Sequence, residues 1–213
     1  MEIYFSEVSE LDDKLLQEFD CKNQKKEKTL IIKKNLNNIN NYYKNYAKVD
    51  SSSDVLKSKT HVLFAEDKQV GFFTISFEKI ELRKSRIKEK EEFSKLHKSN
   101  GGYTTLFVNF LALHKDFQGK YIENKKIKYS DLLMYDLFAK ALSILDNIPF
   151  TFVALEALEG TQKFYEKFKF EHIQDSSKGK PIYILPVNLI KHMLDEDDEK
   201  SPFYELLTNI LTD

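Results

Sequence analysis

Residues 105–120 (Thr-Leu-Phe-Val-Asn-Phe-Leu-Ala-Leu-His-Lys-Asp-Phe-Gln-Gly-Lys) form the stretch best suited to binding a phosphate group. They are predicted to form a buried strand and a short polar turn that leads to a long helix beginning near Ser130. Such a junction places unpaired backbone N–H groups and the positive end of the helix dipole at one spot, which favours an anion. Ser130 and Asp131 either cap this helix or, together with Tyr129, contact a phosphate through their N–H groups.

Tyr165 is the side chain best suited to transferring a proton. A phenol with a pKa near 10 is protonated at neutral pH and can donate to a leaving group such as a thiolate, whose thiol has a pKa near 8.5. Phe164, Tyr165 and Phe168 also have the spacing of an ordinary aromatic core stripe on a short helix. The spacing alone therefore leaves both roles open.

Metal and disulfide chemistry is not indicated. Cys21 is the single cysteine, so it has no partner for an internal disulfide. The five histidines are scattered, and no two of them lie within a helical turn of each other. We therefore expect no metal site.

Composition predicts a single soluble domain. The chain has 213 residues, 41% of them hydrophobic, and its 33 Lys+Arg and 34 Asp+Glu give a formal net charge of -1. A protein that grips nucleic acid over a large area is usually basic, so the charge disfavours that class without removing it. No run approaches about 18 apolar residues, and the first residues do not look like a signal peptide. We expect a cytoplasmic protein without a membrane segment.

The first half of the chain is predicted to contain an edge strand, two helices and a hairpin. The strand spans residues 2–8, a short helix capped by Ser9 follows, and a second helix spans about residues 35–47. Residues 60–65 and 70–77 are apolar runs around a short polar turn, which indicates an antiparallel hairpin.

The second half contains the clearest helix. Residues 130–146 carry a wide apolar face, which is typical of a helix that packs on a sheet. Residues 149–155 and 181–187 are predicted strands, and residues 160–168 form a short helix between them. Because strands and helices alternate irregularly, the predicted class is α/β or α+β with a mixed sheet.

We predict one domain over residues 1–187 and a helical C-terminal tail over residues 188–213. An acidic run at residues 195–199 divides the tail. Residues 83–98 carry charges of both signs with little periodicity, so they are predicted to be a solvated helix or a connection. Their arginines and lysines are interleaved with glutamates, which favours a solvated face over a nucleic-acid interface.

Four segments resemble the GNAT superfamily of acetyl-CoA-dependent N-acetyltransferases. They are the Gln118-Gly119-Lys120 loop between a strand and a helix, residues 164–170 (Phe-Tyr-Glu-Lys-Phe-Lys-Phe), residues 19–23 (Phe-Asp-Cys-Lys-Asn) and residues 70–76 (Val-Gly-Phe-Phe-Thr-Ile-Ser). The last two resemble a bacterial branch of the superfamily that includes acetyltransferase toxins.

The resemblance implies a mixed, twisted sheet that is flanked by helices and splayed between the strands at residues 106–114 and 150–156. It also implies transfer of an acetyl group from acetyl-CoA to a primary amine by direct attack, with Tyr165 as general acid. The pantetheine arm would pair with strand backbone, a form of β-augmentation, and the pyrophosphate would lie on the loop and the helix start. The implied cofactor-binding residues are Leu111, Ala112, Leu113, Gln118, Gly119, Lys120, Tyr129, Ser130 and Asp131.

One departure from the superfamily pattern opens an alternative. The usual loop, Gln/Arg-x-x-Gly-x-Gly/Ala, runs directly into its helix, whereas residues 121–129 follow Gly119 here without another glycine. Glycines let the backbone approach a phosphate closely. Either lysines of this loop (Lys120, Lys125, Lys126 or Lys128) supply the charge instead, or the chain has lost the cofactor and acts as a GNAT-fold interaction module.

The acceptor is left open between a small-molecule amine, a peptide amine and aminoacyl-tRNA. About one lysine ε-amine in a few thousand is neutral at pH 7, compared with about one α-amine in ten. A lysine acceptor therefore needs a general base, and four glutamates near predicted strand ends are candidates: Glu66, Glu78, Glu81 and Glu156. A low-pKa amine such as an aminoacyl group needs less help and agrees with the resemblance to toxins, but the net charge disfavours tRNA. A homodimer is also left open.

Overall fold

The computed structural model describes residues 2–23, 29–52, 54–82, 102–123, 125–194, 201–204 and 206. The charged segment at 83–98, the acidic run at 195–199 and most of the predicted last helix at 202–211 lie outside these residues. The described residues contain one seven-stranded sheet in the order β1-β2-β3-β4-β5-β7-β6. The pairing of β4 with β5 is parallel and the other pairings are antiparallel, which confirms the predicted mixed α/β architecture.

The bounds of the elements agree with most of the predicted segments. The strands are β1 (Ile3–Glu7), β2 (Lys59–Ala65), β3 (Lys68–Ile80), β4 (Tyr103–Leu113), β5 (Phe152–Glu156), β6 (Glu171–Asp175) and β7 (Pro181–Pro186). The α-helices are α1 (Asp13–Glu18), α2 (Leu30–Asn45), α3 (Ala47–Ser51), α4 (Tyr129–Leu145), α5 (Gln162–Lys167) and α6 (Val187–Met193). Single 3-10 turns occupy Val8–Glu10 and Lys115–Phe117.

The sheet splits along the line between β4 and β5. The two strands pair only from Thr105 with Phe152 to Val108 with Leu155, whereas β4 continues to Leu113 beside β3. An irregularity in the β3–β4 register leaves Asn109 as an extra residue on β4. A bulge of this kind bends the strand that carries it. Residues 109–113 therefore border a gap on the β5 side, which is the predicted splay.

The two faces of the sheet are covered by different helices. Helix α4 lies on one face, where Leu133, Met134, Leu137 and Phe138 are fully buried against strand residues of the main core. Helices α1 and α2 lie on the other face and bury a second, smaller cluster. A sheet that is covered on both faces requires apolar side chains on both sides of its central strands, and β2 to β4 have them.

The C-terminal segment packs into the main core. The ring of Phe203 is 1% exposed and lies against Phe138 of α4 and Phe168 after α5, with centroid distances of 5.7 and 5.3 Å. Ile190 and Met193 of α6 are buried in the same cluster. The division into a domain over 1–187 and a tail over 188–213 stays a prediction.

Two local predictions are corrected, and one strand was not predicted. Ser9 lies in a 3-10 turn, and the cap of α1 is Asp12, whose carboxylate accepts the N–H of Lys14 at 2.7 Å. Helix α2 begins at Leu30 rather than near residue 35, because the hydroxyl of Thr29 caps it by accepting the N–H of Ile32. Strand β6 was not predicted, since Ile173 is its one apolar residue and its place depends on pairing with β7.

Candidate functional site

The end of β4 presents backbone groups to the gap. The N–H of His114 donates to the carbonyl of Val70 on β3 at 2.8 Å. Because the hydrogen-bonding direction alternates along an antiparallel strand, Ala112 also directs its backbone groups to β3, whereas Leu111 and Leu113 direct theirs into the gap. Of the three predicted β4 residues, two therefore direct backbone groups to the side where an extended ligand would lie, and the carbonyl of Leu113 already accepts a hydrogen bond from the side chain of Gln118.

Glycine at position 71 lets β3 lie close to this end of β4. A Cβ atom on Gly71 would lie 2.6 Å from the carbonyl oxygen of Ala112 and 2.9 Å from a methyl group of Leu113. Because one of these contacts is with backbone, a side chain here would push the two strands apart. The close packing of β3 against this end of β4 thus explains the glycine in the Val-Gly-Phe pattern at residues 70–72.

The Gln118-Gly119-Lys120 turn follows directly. The side-chain amide of Gln118 donates to the carbonyls of Cys21, at 2.8 Å, and Leu113, at 3.2 Å, so it fixes the turn to the protein. The N–H of Lys120 donates to the carbonyl of Phe117. Gly119 has a φ of 76° and open space where a Cβ would be. Within the described part of the chain, the N–H groups of Gln118 and Gly119 make no hydrogen bond.

The residues that replace the usual glycines form a small closed hairpin. Tyr121 and Lys128 form an antiparallel bridge, and the N–H of Ile122 donates to the carbonyl of Ile127 at 2.8 Å. Both isoleucines are buried, at 3% and 4% exposure. The hairpin is therefore anchored by its own apolar side chains, and the turn before it stays next to the start of α4.

Helix α4 begins one residue earlier than predicted, and its N-cap is Lys128, which provides no side-chain cap. The N–H of Tyr129 donates to Lys120 and that of Asp131 donates to Lys128, so both are already used. The N–H of Ser130 makes no hydrogen bond among the described residues. Of the three predicted contacts, Ser130 offers a free N–H group at the positive end of the helix dipole.

The carboxylate of Asp131 is paired, which the sequence did not indicate. Lys167, at the end of α5, lies 2.8 Å from it, and the side chain of Asp131 is 16% exposed. A bare carboxylate in the first turn of α4 would repel a phosphate bound nearby, and the ammonium of Lys167 offsets that repulsion. The pair also joins α5 to the start of α4.

The segment Phe19–Asn23 is tied to the turn through Asp20. Its carboxylate accepts hydrogen bonds from the N–H of Lys22, the amide of Asn40 and the ammonium of Lys115, at 3.0, 2.7 and 3.0 Å. Burial opposes the charge of Asp20, but these donors outweigh it and lower the pKa of Asp20 to about 2. With Cys21, which accepts from Gln118, Asp20 holds the turn in place. We call these contacts the Asp20 network.

Tyr165 lies in the core between rings. It is 8% exposed, and its ring packs against those of Phe164, Phe170 and Tyr183. Its hydroxyl has no hydrogen-bond partner among the described residues. Burial raises the pKa of Tyr165 to about 12, so the phenol keeps its proton at neutral pH. The structure therefore shows a proton donor in core packing, and its catalytic role stays a prediction.

The four candidate bases differ in their surroundings. Glu156 pairs with Lys180 at 3.3 Å, and Glu66 lies in the β2–β3 turn at a φ of 54°. Glu81 follows β3. Burial, with a smaller contribution from the charge of Glu156, raises the pKa of Glu78. Glu78 makes no hydrogen bond or ion pair within the described part of the chain, so it is the candidate best prepared to accept a proton.

Two cavities of opposite charge adjoin the loop between β4 and α4. The first, of about 570 Å³, is lined by five carboxylates and two lysines and is called the acidic cavity: Glu18, Glu66, Asp67, Asp116, Glu123, Lys68 and Lys120. The second, of about 460 Å³, is lined by three lysines and one carboxylate and is called the lysine cavity: Lys126, Lys128, Lys167 and Asp131. Only the second suits an anion.

The described residues offer no group of side chains for a metal ion and no helix that could span a membrane. In the part of the chain that the structure describes, no three His, Cys, Asp or Glu side chains come together in a way that could hold a metal ion. No helix of that part is long and apolar enough to cross a lipid bilayer.

Comparison with known proteins shows the fold. Neither a protein-family profile nor a curated protein sequence matches the chain. Among solved structures, a bacterial toxin is 16% identical with a TM-score of 0.68 over 93% of this chain and 98% of its own. The toxin AtaT complexed with acetyl-methionyl-tRNAfMet is 15% identical with a TM-score of 0.67, over 91% of this chain and 100% of its own.

A third similar structure holds both a cofactor and a partner. It is a tyrosine-to-phenylalanine mutant of AtaT bound to the C-terminus of the antitoxin AtaR and acetyl-CoA, 14% identical with a TM-score of 0.61, over 91% of this chain and 99% of its own. The chain thus has the GNAT fold that its motifs predict. All three of these similar structures are of toxins.

Proposed function

We propose that this protein is an acetyl-CoA-dependent N-acetyltransferase that acts in the cytoplasm. The observation that carries the proposal is the gap between β4 and β5, into which Leu111 and Leu113 direct their backbone groups. An extended pantetheine arm can pair with such an edge as an added strand would. The acetyl-CoA in the similar AtaT structure supports this assignment.

The start of α4 and the turn before it would hold the pyrophosphate. The free N–H groups there belong to Gln118, Gly119 and Ser130, while those of Lys120, Tyr129 and Asp131 are bonded within the chain. Gly119 leaves open space above its backbone. Two free N–H groups in the turn and one at the helix start favour a dianion even without a second glycine.

In this proposal, the amine attacks the thioester carbonyl, the carbon–sulfur bond breaks, and Tyr165 protonates the departing thiolate. The cofactor supplies a thioester as the acetyl donor. The raised pKa of Tyr165 keeps the phenol protonated throughout the physiological range. Loss of solvation destabilises a thiolate as it does a phenolate. Burial in the same place therefore raises the pKa of the cofactor thiol together with that of Tyr165, so proton transfer from the phenol to the thiolate stays feasible.

The acceptor is proposed to be a primary amine that attacks directly, from a small molecule or a peptide. Glu78 is then the base for an amine of high pKa, since its own pKa is raised and it is unpaired among the described residues. A second candidate acceptor is aminoacyl-tRNA. It is favoured by the similarity to AtaT complexed with acetyl-methionyl-tRNAfMet and by the lower pKa of an α-amine.

Binding and turnover test the proposal separately. Acetyl-CoA at 100 times its dissociation constant should stabilise the protein by about 2.7 kcal/mol, measured by thermal unfolding. Mass spectrometry should then detect acetylated product with a panel of amines, peptides and aminoacyl-tRNAs. No stabilisation at millimolar acetyl-CoA and no product would favour the interaction-module alternative.

Replacing Tyr165 by phenylalanine should lower kcat about a hundredfold or more, because general acid catalysis typically contributes that much. The stabilisation by acetyl-CoA should be unchanged, since the phenol does not bind the cofactor in this proposal. Tyr183→Phe is the matched control, because Tyr183 lies beside Tyr165 and donates to Glu166 instead. Full turnover by Tyr165→Phe would remove Tyr165 from this role.

A protein partner follows from the same comparison. AtaT is seen bound to the C-terminus of its antitoxin AtaR, and we extend this to the proposal that a partner protein controls the present chain. A homodimer is the other assembly to test. Light scattering of the purified chain separates a monomer from a dimer, and toxicity on expression, relieved by a neighbouring gene product, would support a controlling partner.

A further inference from the structure

The lysine cavity lies where the start of α4, the 120–128 hairpin and the end of α5 meet the C-terminal segment, which contributes Ser201, Pro202, Tyr204 and Leu206. Its volume of about 460 Å³ is within the range of small-molecule sites. Its walls include the rings of Tyr121 and Tyr204, beside three lysines. The proposed reaction uses this cavity only at its edge on the start of α4, where the pyrophosphate is assigned, and gives no role to the lysines and rings that line the rest of it.

The charges of the cavity favour an anion. Lys126 and Lys128 have no carboxylate partner among the described residues. The ammonium of Lys128 lies 5.3 Å from the ring centroid of Tyr121, at the rim. Asp131, the carboxylate of the lining, is neutralised by Lys167 at 2.8 Å. The lining therefore carries an excess of positive charge, to which the helix dipole of α4 adds.

We infer that the lysine cavity binds the phosphate on the ribose of coenzyme A and makes the protein prefer coenzyme A over 3′-dephospho-coenzyme A. The inference rests on the proposed function. The site follows the turn assigned to the pyrophosphate, so it is where the nucleotide end of the cofactor would continue. The tyrosine rings offer flat surfaces for a base, and the lysines offer charge-assisted hydrogen bonds to the phosphate.

The acidic cavity is excluded as the site for this phosphate. It adjoins the same loop and is larger, but its five carboxylates against two lysines would repel a dianion. A phosphate of an RNA backbone is a less suitable occupant of the lysine cavity, because that backbone follows surfaces and grooves. The test therefore treats RNA as a separate outcome.

The inference explains how a loop that lacks the usual second glycine can still bind the phosphates of the cofactor. The hairpin brings Lys126 and Lys128 to the rim of the cavity, and its buried isoleucines, Ile122 and Ile127, fix its base. Side-chain charge at the nucleotide end thus supplements the three free N–H groups of the turn and the start of α4. Lys167 has a positioning role, because it neutralises Asp131 from the neighbouring helix.

Calorimetric titration of the full chain with coenzyme A and with 3′-dephospho-coenzyme A tests this. The wild type should bind coenzyme A about tenfold more tightly or better, as expected of hydrogen bonds to a charged group. In the Lys126→Gln/Lys128→Gln double variant the two affinities should become nearly equal, and in Lys167→Gln their ratio should also fall. Lys163→Gln, an exposed lysine of the same short helix α5 outside the cavity, is the matched control and should keep the wild-type ratio.

The outcomes separate the two proposals. Equal affinities in the wild type, or a ratio lost equally in Lys163→Gln, would overturn the inference and leave the acetyltransferase proposal intact. Binding of neither ligand would refute the proposed function itself. If the double variant loses affinity for tRNA but keeps the wild-type ratio for the two nucleotides, the cavity is an RNA contact and the inference is wrong.

Discussion

Replacing Asp20 by asparagine removes one charge from the Asp20 network while keeping the shape of the side chain. An asparagine oxygen can still accept from Lys22 and Asn40, but the ion pair with Lys115 is lost. Because the side chain of Asp20 is 28% exposed, solvent screens its interactions only partly. We therefore expect a measurable loss of stability at neutral pH.

The magnitude follows from the pKa of Asp20, which falls from 3.8 to about 2 on folding. A depressed carboxyl pKa stabilises the native state fully above the unfolded value, and this stabilisation disappears as the pH falls toward the folded value. A shift of this size corresponds to about 2 kcal/mol. The wild type should therefore exceed Asp20→Asn by about 2 kcal/mol at pH 6, and the difference should shrink between pH 4 and pH 2.

Urea unfolding followed by circular dichroism at pH 6 and at pH 3 measures this difference. Asp13→Asn is a matched control, because Asp13 pairs with Lys48 at 2.7 Å but its side chain is 82% exposed. Exposed pairs contribute little, so this variant should change stability by less than about 1 kcal/mol. A difference for Asp20→Asn that is independent of pH, or no larger than that of the control, would refute the reasoning.

Three further changes test the packing. Gly71→Ala places a Cβ 2.6 Å from the carbonyl oxygen of Ala112, so urea unfolding should show a loss of about 1–3 kcal/mol; an unchanged midpoint would contradict the close approach. Burial lowers the pKa of His61 to about 4, so protonation of the unfolded chain should remove up to about 3 kcal/mol as the pH falls from 6.5 to 4. His61→Gln should lack this part of the pH dependence. Identical pH profiles of stability for the wild type and this variant would contradict the assignment to His61. Phe203→Ala should cost about 3–5 kcal/mol, because the ring fills a closed core position, and a loss below about 1 kcal/mol would show that the C-terminal segment does not pack as described.

The order of the main elements could be predicted because local patterns determine it. The apolar face of residues 130–146 predicted α4 to within one residue, and the two apolar runs before it predicted the β2–β3 hairpin. The splay between β4 and β5 came from the family resemblance. Elements whose side chains are mostly polar, such as β6, could not be predicted, since a neighbouring strand stabilises them rather than their own pattern.

The contacts of the site could not be predicted, because they join distant parts of the chain. Asp20 and Lys115 are 95 residues apart, and Lys167 reaches Asp131 from another helix. Neither pairing leaves a periodic signal. The backbone directions of Leu111, Ala112 and Leu113 depend on the register with β3, which a sequence pattern alone does not determine.

The 120–128 hairpin is closed at its base, so its tip, at the rim of the lysine cavity, can change in sequence and length. Because the buried pair Ile122 and Ile127 hold the two ends together, residues inserted between them would lengthen the tip without changing the distance from Gly119 to the start of α4. Mutational change can therefore concentrate there without disturbing the sheet. If the lysine cavity binds the cofactor as proposed, exchanging this one short segment should change the nucleotide preference without altering the proposed catalytic residue Tyr165.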